Sequence, residues 1–276
     1  MAFAAMRAAA LVYEPQSPPW PDRSPERVDV ARYRIGHLQR TDPDGAWVAV
    51  AGDEVVGMSL SLRRGPLWLL SLLAVSTDQQ SRGTGRALLD ASLRSADGAD
   101  AAWILSTTDP KALRRYALAG FAPHAGYAAV GPLDRALLPG SLDVRDGEWS
   151  RDGELVDDVM VTLRGAPYGR DIEAMAAIGQ RLMVIEDGAD RGFVTTRGGA
   201  VFSLGGTTPG IATQLLWAAL AASESPTVSV DWLTADQQWA IDVALAARLP
   251  LLAGPSWCRR TTLGTMSPYL PSGAYG

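Results

Sequence analysis

The chain holds a single cysteine, Cys258, among 276 residues. An internal disulfide framework is therefore excluded, and that usage fits a reducing compartment. Burial as a small hydrophobe is the plain expectation for this thiol. Histidine is nearly as scarce, with only His37 and His124, so no metal site is expected. The one lysine is Lys111, which excludes a phosphate loop ending in Gly-Lys-Ser/Thr. No apolar run approaches the roughly eighteen residues of a membrane span, so no membrane partner is expected. Positive charge is short too: 25 Lys and Arg stand against 30 Asp and Glu, for a net charge of −5. A sequence pI near 5.1 argues against a nucleic-acid surface. Nothing in the sequence decides the oligomeric state.

Hydrophobic residues make up 47% of the chain, enough for a real core, and the length suits two domains. Residues 1–12 carry Arg7 and a short alanine-rich run that proline-rich sequence follows. The run is too short for a secretory leader, so 1–23 reads as an extended arm of a cytoplasmic protein. Ser24-Pro25-Glu26 is a helix start, and Val28, Ala31, Ile35 and Leu38 continue at helical spacing to about Gln39. Trp47 to Ala51 and Val55 to Leu62 read as a hairpin, the second strand alternating apolar with small residues. Leu67 to Val75, broken only by Ser71, has the continuity of a strand buried on both faces.

A polar loop follows, and Gln80-Ser81-Arg82-Gly83-Thr84-Gly85 opens a helix carrying Arg86, Ala87, Leu88 and Ala91. Strand, glycine-bearing loop and helix start make a place where backbone N–H groups can hold phosphate. Gly83 and Gly85 are expected to let the main chain approach the ligand where a Cβ would intrude. Arg82 and Arg86 could add charge-assisted bonds to phosphate oxygens. A plain turn explains Gly-x-Gly equally well. A fourth strand, Ala102 to Ser106, precedes Asp109-Pro110-Lys111-Ala112-Leu113-Arg114-Arg115-Tyr116-Ala117-Leu118-Ala119-Gly120-Phe121. Read locally, this is a helix capped by Asp109 and stopped by Gly120.

Taken together, the two segments resemble the GNAT acetyltransferase superfamily. Gln80 to Gly85 is similar to its Gln/Arg-x-x-Gly-x-Gly/Ala loop, and Ala112, Tyr116, Gly120 and Phe121 match its second motif, with Asp109 where the family has Asn. The resemblance covers about residues 24–130. It implies acetyl-coenzyme A as co-substrate, with its pyrophosphate on Gln80, Ser81, Arg82, Gly83, Thr84, Gly85 and Arg86. It also implies thioester and pantetheine along the splayed strand at Leu73 and Val75, beside Asp109 and Ala112. Tyr116 would protonate the departing thiolate, and the acceptor would be the primary amine of a small molecule, attacking directly in a ternary complex. The central strand offers no glutamate as base, only Ser71, and Asp42, Asp44 and Asp134 are loop carboxylates of unknown position. A buried helix-face aromatic is the alternative for Tyr116, and a packed or rim residue for His124. An acetyl-coenzyme A sensor without catalysis, or acetylation of a protein amine, remain rival readings.

The second half repeats the first faintly. Gly131-Pro132 to Pro139-Gly140 punctuates the chain. The division expected is a catalytic domain over 24–135, a linker over 136–144 and a degenerate copy over 145–276. In the copy, Val156 to Leu163 marks a helix, Asp171 caps another, and Leu182 to Ile185, Gly192 to Thr196 and Ala200 to Leu204 read as strands. Gln214 to Leu220 lines up with Ala87 to Leu93, and Trp232-Leu233-Thr234 with Ile104-Leu105-Ser106, at nearly one shift. Between Ser71 and Ala87 lie 16 positions and between Ser203 and Gln214 only 11, so the copy's loop is shorter; Ala244 replaces Tyr116. The fold class expected is α/β with mixed sheets: two GNAT-like domains, each mostly antiparallel, with a splayed central strand flanked by helices. The stretch 266–276 has no charged side chain but carries Tyr269, Leu270 and Tyr275, which are costly to leave in water. It is expected to fold back and line the acceptor pocket, with the Gly276 carboxylate serving as base.

Overall fold

A computed structural model describes residues 24–276, so the arm expected over 1–23 lies outside the described residues. The chain forms two mixed α/β units. The first takes the described part of Met1–Pro123 together with Cys258–Thr261 and Ala274–Gly276. The second takes His124–Trp257 and Thr262–Gly273.

In the first unit α1 (Pro25–Thr41) begins where local chemistry dictates, with Ser24 accepting from the Arg27 N–H and proline in the first turn. The hairpin β1 (Ala46–Ala51) and β2 (Glu54–Arg64) leads into β3 (Leu67–Val75). Trp68 and Leu69 on β3 are both buried, as the unbroken apolar run requires. Across β2, α2 (Thr84–Leu93) sits in a notch at Gly57, where a Cβ would come within 2.9 Å of Leu88 Cδ1. The Ser92 hydroxyl donates to Ser59 Oγ at 2.8 Å and fixes that contact. Then come β4 (Ala101–Ser106), α3 (Pro110–Leu118) and β5 (Ala122–His124). The sheet runs β1-β2-β3-β4-β13-β5, where β13 is Ser256–Thr261. Trp68, Leu89, Ile104, Tyr116, Phe121 and Cys258 form one apolar cluster.

The second unit contains β6 (Tyr127–Pro132), β7 (Arg145–Asp146), α4 (Trp149–Arg164), α5 (Asp171–Ala177), β8 (Arg181–Asp187), β9 (Asp190–Arg197) and β10 (Ala200–Gly206). After them come α6 (Pro209–Ala221), β11 (Thr227–Leu233), α7 (Gln238–Ala246), β12 (Leu251–Ala253) and β14 (Tyr269–Leu270). Its sheet runs β12-β6-β11-β10-β9-β8-β7, with β14 on β10. Around α6, Leu215, Leu216 and Leu220 pack with Val194, Leu204, Val230 and Leu233.

Beyond β5 the chain leaves the first sheet: β6 joins the second sheet between β12 and β11, and β13 takes the place beside β4. Three expectations change. A contiguous division at 24–135, 136–144 and 145–276 therefore differs from the observed units: the first ends at Pro123 and regains two later segments, and the expected linker lies inside the second. Strand pairing between distant segments leaves no local trace, which is why punctuation alone misplaces the division. Asp171 is the buried first residue of α5 rather than its cap, which is Arg170. Finally, β3 bulges at Ser71 and β10 at Phe202, so Ser71 corresponds to Phe202 rather than Ser203.

Candidate active site

β3 and β4 pair in parallel from Leu67↔Ala101 to Leu70↔Ile104 and then part, although β3 continues to Val75 and β4 to Ser106. They part at the bulge. Leu72 and Leu70 face Leu60 and Ser61 of β2, so Ser71 drops out of the ladder. The wedge between the strands is a cavity of about 320 Å³. Residues 70–75, 104–107, Gln80, Ser81, Gly85 and Asp109 line it, with Lys111, Ala112, Arg114, Arg115 and Tyr116 of α3. Past Leu70, the β3 edge that faced β4 has no strand partner, so its backbone groups are presented to the groove. Ser71 Oγ is buried there without a hydrogen-bond partner. Such an orphan is costly unless a ligand completes it.

The loop into α2 is shaped for an anion. Ser81 (φ 64°) and Gly83 (φ 91°) are both left-handed, a geometry that turns successive N–H groups toward one side. Gly83 is the N-cap of α2, and no side chain caps that helix, whereas Ser24, Asp109 and Thr208 each cap theirs. The first-turn amides and the positive helix end are thereby left for a ligand. A Cβ at Gly83 would meet nothing within 4 Å, and one at Gly85 would make ordinary contacts with Val75 and Arg115. The space beside Gly83 is open on the protein side, and position 83 also needs glycine for its positive φ.

On the opposite wall, the Asp109 carboxylate accepts from the Lys111 N–H at 2.8 Å and caps α3. Tyr116 lies one helical face along, nearly fully buried. Burial pushes its phenol to much weaker acidity, Cys258 adds to the shift, and Arg115 opposes it. The phenol is therefore protonated at neutral pH and has a proton to give. Phe121 returns an N–H to the Tyr116 carbonyl at 3.0 Å, which ties the helix end to the next strand.

Of the residues expected at the site, Ser71, Leu73, Val75, Gln80, Ser81, Gly85, Asp109, Ala112 and Tyr116 all line the cavity. Arg82, Gly83, Thr84 and Arg86 do not; Arg86 instead meets Asp90 at 3.5 Å on the exposed face of α2. Gly276 does not line it either. Residues 274–276 belong to the first unit, where the Tyr275 ring stands edge-on to His37 at 6.0 Å. The candidate carboxylates Asp42 and Asp134 are engaged elsewhere: Asp42 binds Arg64, and Asp134 accepts from the Ala136 N–H. His124 is exposed, and Cys258 is buried with its thiol pushed up to about 11 by desolvation. Sequence reasoning missed Lys111, Arg114 and Arg115 as groove residues. The signal was present, since 111, 112, 115 and 116 share a helix face. Among the described residues no cluster of His, Cys, Asp or Glu could hold a metal ion, and no helix is long and apolar enough to cross a membrane.

This geometry, a parallel pair splayed at a bulge beside an uncapped helix, coincides with a family match. Residues 29–128 match the model of the acetyltransferase (GNAT) domain. The matched residues include the whole lining of the groove, from Leu70 to Tyr116. No curated protein matches the chain. Among solved structures, the chain is similar to a Pyrococcus horikoshii protein at 17% identity, over 90% of this chain and 86% of that one, with a TM-score of 0.71. A GCN5-related N-acetyltransferase from Sphaerobacter thermophilus is 18% identical over 95% and 93%, with a TM-score of 0.55. A tandem GNAT protein from the clavulanic acid biosynthesis pathway is 17% identical over 96% and 95%, with a TM-score of 0.52. At these identities the likeness concerns the fold, and it extends over both GNAT-like units.

Proposed function

We propose that this chain transfers an acetyl group from acetyl-coenzyme A to a primary amine of a small molecule, by direct attack in a ternary complex. The observation that carries the reading is the splayed β3–β4 groove running into the uncapped, left-handed loop at Ser81 and Gly83. The orphaned Ser71 hydroxyl inside the groove fits a polar ligand. Bound acetyl-coenzyme A would supply an acetyl thioester. In this reading the loop amides at the start of α2, with Lys111, Arg114 and Arg115, hold its phosphates. The free edge of β3 from Leu73 to Val75 orients the pantetheine arm, and the backbone near Val75 stabilises the developing oxyanion. Ala112 leaves room on α3. Asp109 is occupied in capping, so its contribution is to hold the α3 N-terminus in place. Tyr116 keeps its proton at neutral pH and delivers it to the departing sulfur. In the same reading the Ser71 hydroxyl relays a proton from the acceptor amine to water.

Replacing Gly83 by valine tests the cofactor assignment. A β-branched residue is strained at a φ of 91°, and position 83 is exposed, so the loop distorts while the core stays intact. Calorimetry should show acetyl-coenzyme A binding lost with an unchanged melting temperature. Undiminished affinity would refute the assignment.

A further inference from the structure

From its hairpin onward the second unit repeats the order of the first: three strands, a helix, a strand and a helix. β10 pairs in parallel with β11 at Ala200↔Ser229, and beyond that point β10 has another partner. α7, like α3, has nine residues, and Gln237 holds the N-cap position that Asp109 holds in α3. Arg248 (φ 54°) follows α7 as Gly120 (φ 88°) follows α3. Leu249 donates to the Ala244 carbonyl as Phe121 does to that of Tyr116. The phosphate loop is gone. Eight residues, 76–83, separate β3 from α2, whereas Thr207 and Thr208 alone separate β10 from α6, and Thr208 caps that helix itself.

In the first unit the corresponding wedge is open. In the second a peptide lies in it. Tyr269 and Leu270 pair antiparallel with Gly205 and Leu204, and the Gly206 N–H donates to the Pro268 carbonyl at 3.3 Å. Gln237 reads the same peptide from the other wall. Its Nε2 donates to the Met266 carbonyl at 2.8 Å, and its Oε1 accepts from the Tyr269 N–H and the Ser267 hydroxyl, both at 3.2 Å. Trp239 Nε1 donates to that same Oε1 at 3.0 Å and holds the amide in orientation. Tyr269 and Leu270 are buried, and the Tyr269 ring meets Trp257 edge-on at 5.8 Å.

We propose that the cleft of the second unit is a peptide-binding site whose occupant is this chain's own segment 266–270, gripped by Gln237, so that the chain offers one cofactor groove and not two. A splayed strand edge buried without partners is unfavourable, and an added strand satisfies it. With the phosphate loop shortened to two residues, the edge suits a peptide and has lost the means to hold a pyrophosphate. Naming the open groove a cofactor site rests on the reading proposed above; the occupancy of the second cleft does not.

Hydrogen exchange on the full chain, with coenzyme A as probe, tests this. Coenzyme A should slow exchange at 71–86 and leave 204–206 and 266–270 unchanged. Gln237→Ala should accelerate exchange at 266–270 by about tenfold or more while protection of β8 and β9 persists. Gln237→Glu, which sets a buried carboxylate oxygen against the Met266 carbonyl, should accelerate exchange there at least as much. A response to coenzyme A at 204–206 or 266–270, or no acceleration in Gln237→Ala, would overturn the proposal. Should 71–86 fail to respond, the cofactor reading of the first groove falls, and the Gln237 variants still decide the occupancy of the second.

Discussion

Asp42 accepts from Arg64 Nη1 at 2.9 and 3.0 Å, and both side chains are nearly buried. The same carboxylate also accepts from the Arg63 N–H and the Thr41 hydroxyl. It therefore ties the end of α1 to the end of β2 and has no capacity left for proton transfer in the groove. Removing it would strip the buried Arg64 guanidinium of this carboxylate. Asp42→Ala should destabilise the first unit by about 3 kcal/mol, measured by urea unfolding, with acetyl-coenzyme A affinity unchanged in the folded protein. A loss of turnover without a loss of stability would return Asp42 to the list of bases.

Tyr116→Phe keeps the ring that packs beside Cys258 and removes only the proton. Turnover should fall by about 10²-fold while affinity for acetyl-coenzyme A holds. Because the phenol's acidity is weakened above its ordinary value, it stays protonated below pH ~10. The rate should consequently show no alkaline decline between pH 7 and 10 on its account. The neutral form is favoured in the folded state, so the stability it contributes is complete below pH ~10 and is lost only above that. A wild-type rate in the variant reduces Tyr116 to packing.

Lys111, Arg114 and Arg115 place three cations along the groove. Replacing any one by alanine should weaken acetyl-coenzyme A binding by about tenfold, given 1.5–3 kcal/mol for a charge-assisted bond. The loss should shrink as salt is raised. Dephospho-coenzyme A, which lacks the 3′-phosphate, would show which cation meets that phosphate. Equal affinity in all three variants would leave the loop amides as the sole anion site.

What was legible in the sequence followed from local chemistry. Ser24 and Asp109 announce their helices because a cap acts within three residues. Leu67–Val75 announces a two-sided strand because burial on both faces leaves no polar period. The bulge at Ser71 was not legible, because it depends on register with β2. Nor was the exchange of β6 and β13 between sheets, since the pairing of distant strands has no sequence period of its own. Of the groove, the glycine loop and Tyr116 were visible as a motif. Arg114 and Arg115 carried no motif of their own, and only the fold shows that they border the groove.

Asp152 anchors the start of α4 in the second unit. Arg145 meets it through two nitrogens at 3.0 and 2.8 Å, Arg151 through two more at 3.2 and 2.9 Å, and the Glu148 N–H donates at 2.7 Å. These partners, Arg145 first, hold its carboxyl far below the usual range. A depressed carboxylate contributes stability that is present above its unfolded value near pH ~4 and is lost as pH falls further. Urea midpoints should therefore drop below pH ~4, and Asp152→Asn should flatten that slope and lower stability by about 2 kcal/mol at pH 7. An unaltered slope in the variant would assign acid sensitivity elsewhere.

α1 buries only His37 and Leu38 of its seventeen residues, so it is thinly anchored. Tyr275 is fully buried in the same unit and sets its ring edge-on to His37, with the planes at 88°. An edge-to-face pair adds about 0.5–1.5 kcal/mol beyond the area it buries, and truncating a buried aromatic costs about 3–5 kcal/mol in all. Tyr275→Ala should therefore speed hydrogen exchange along α1 well before β2 and β3 respond, because those strands are held by their own ladder. Binding of acetyl-coenzyme A, whose groove does not include Tyr275, should persist in the variant. Acceleration spread evenly over α1 and the strands would mean that Tyr275 supports the whole unit, and no acceleration would mean that His37 holds α1 without it.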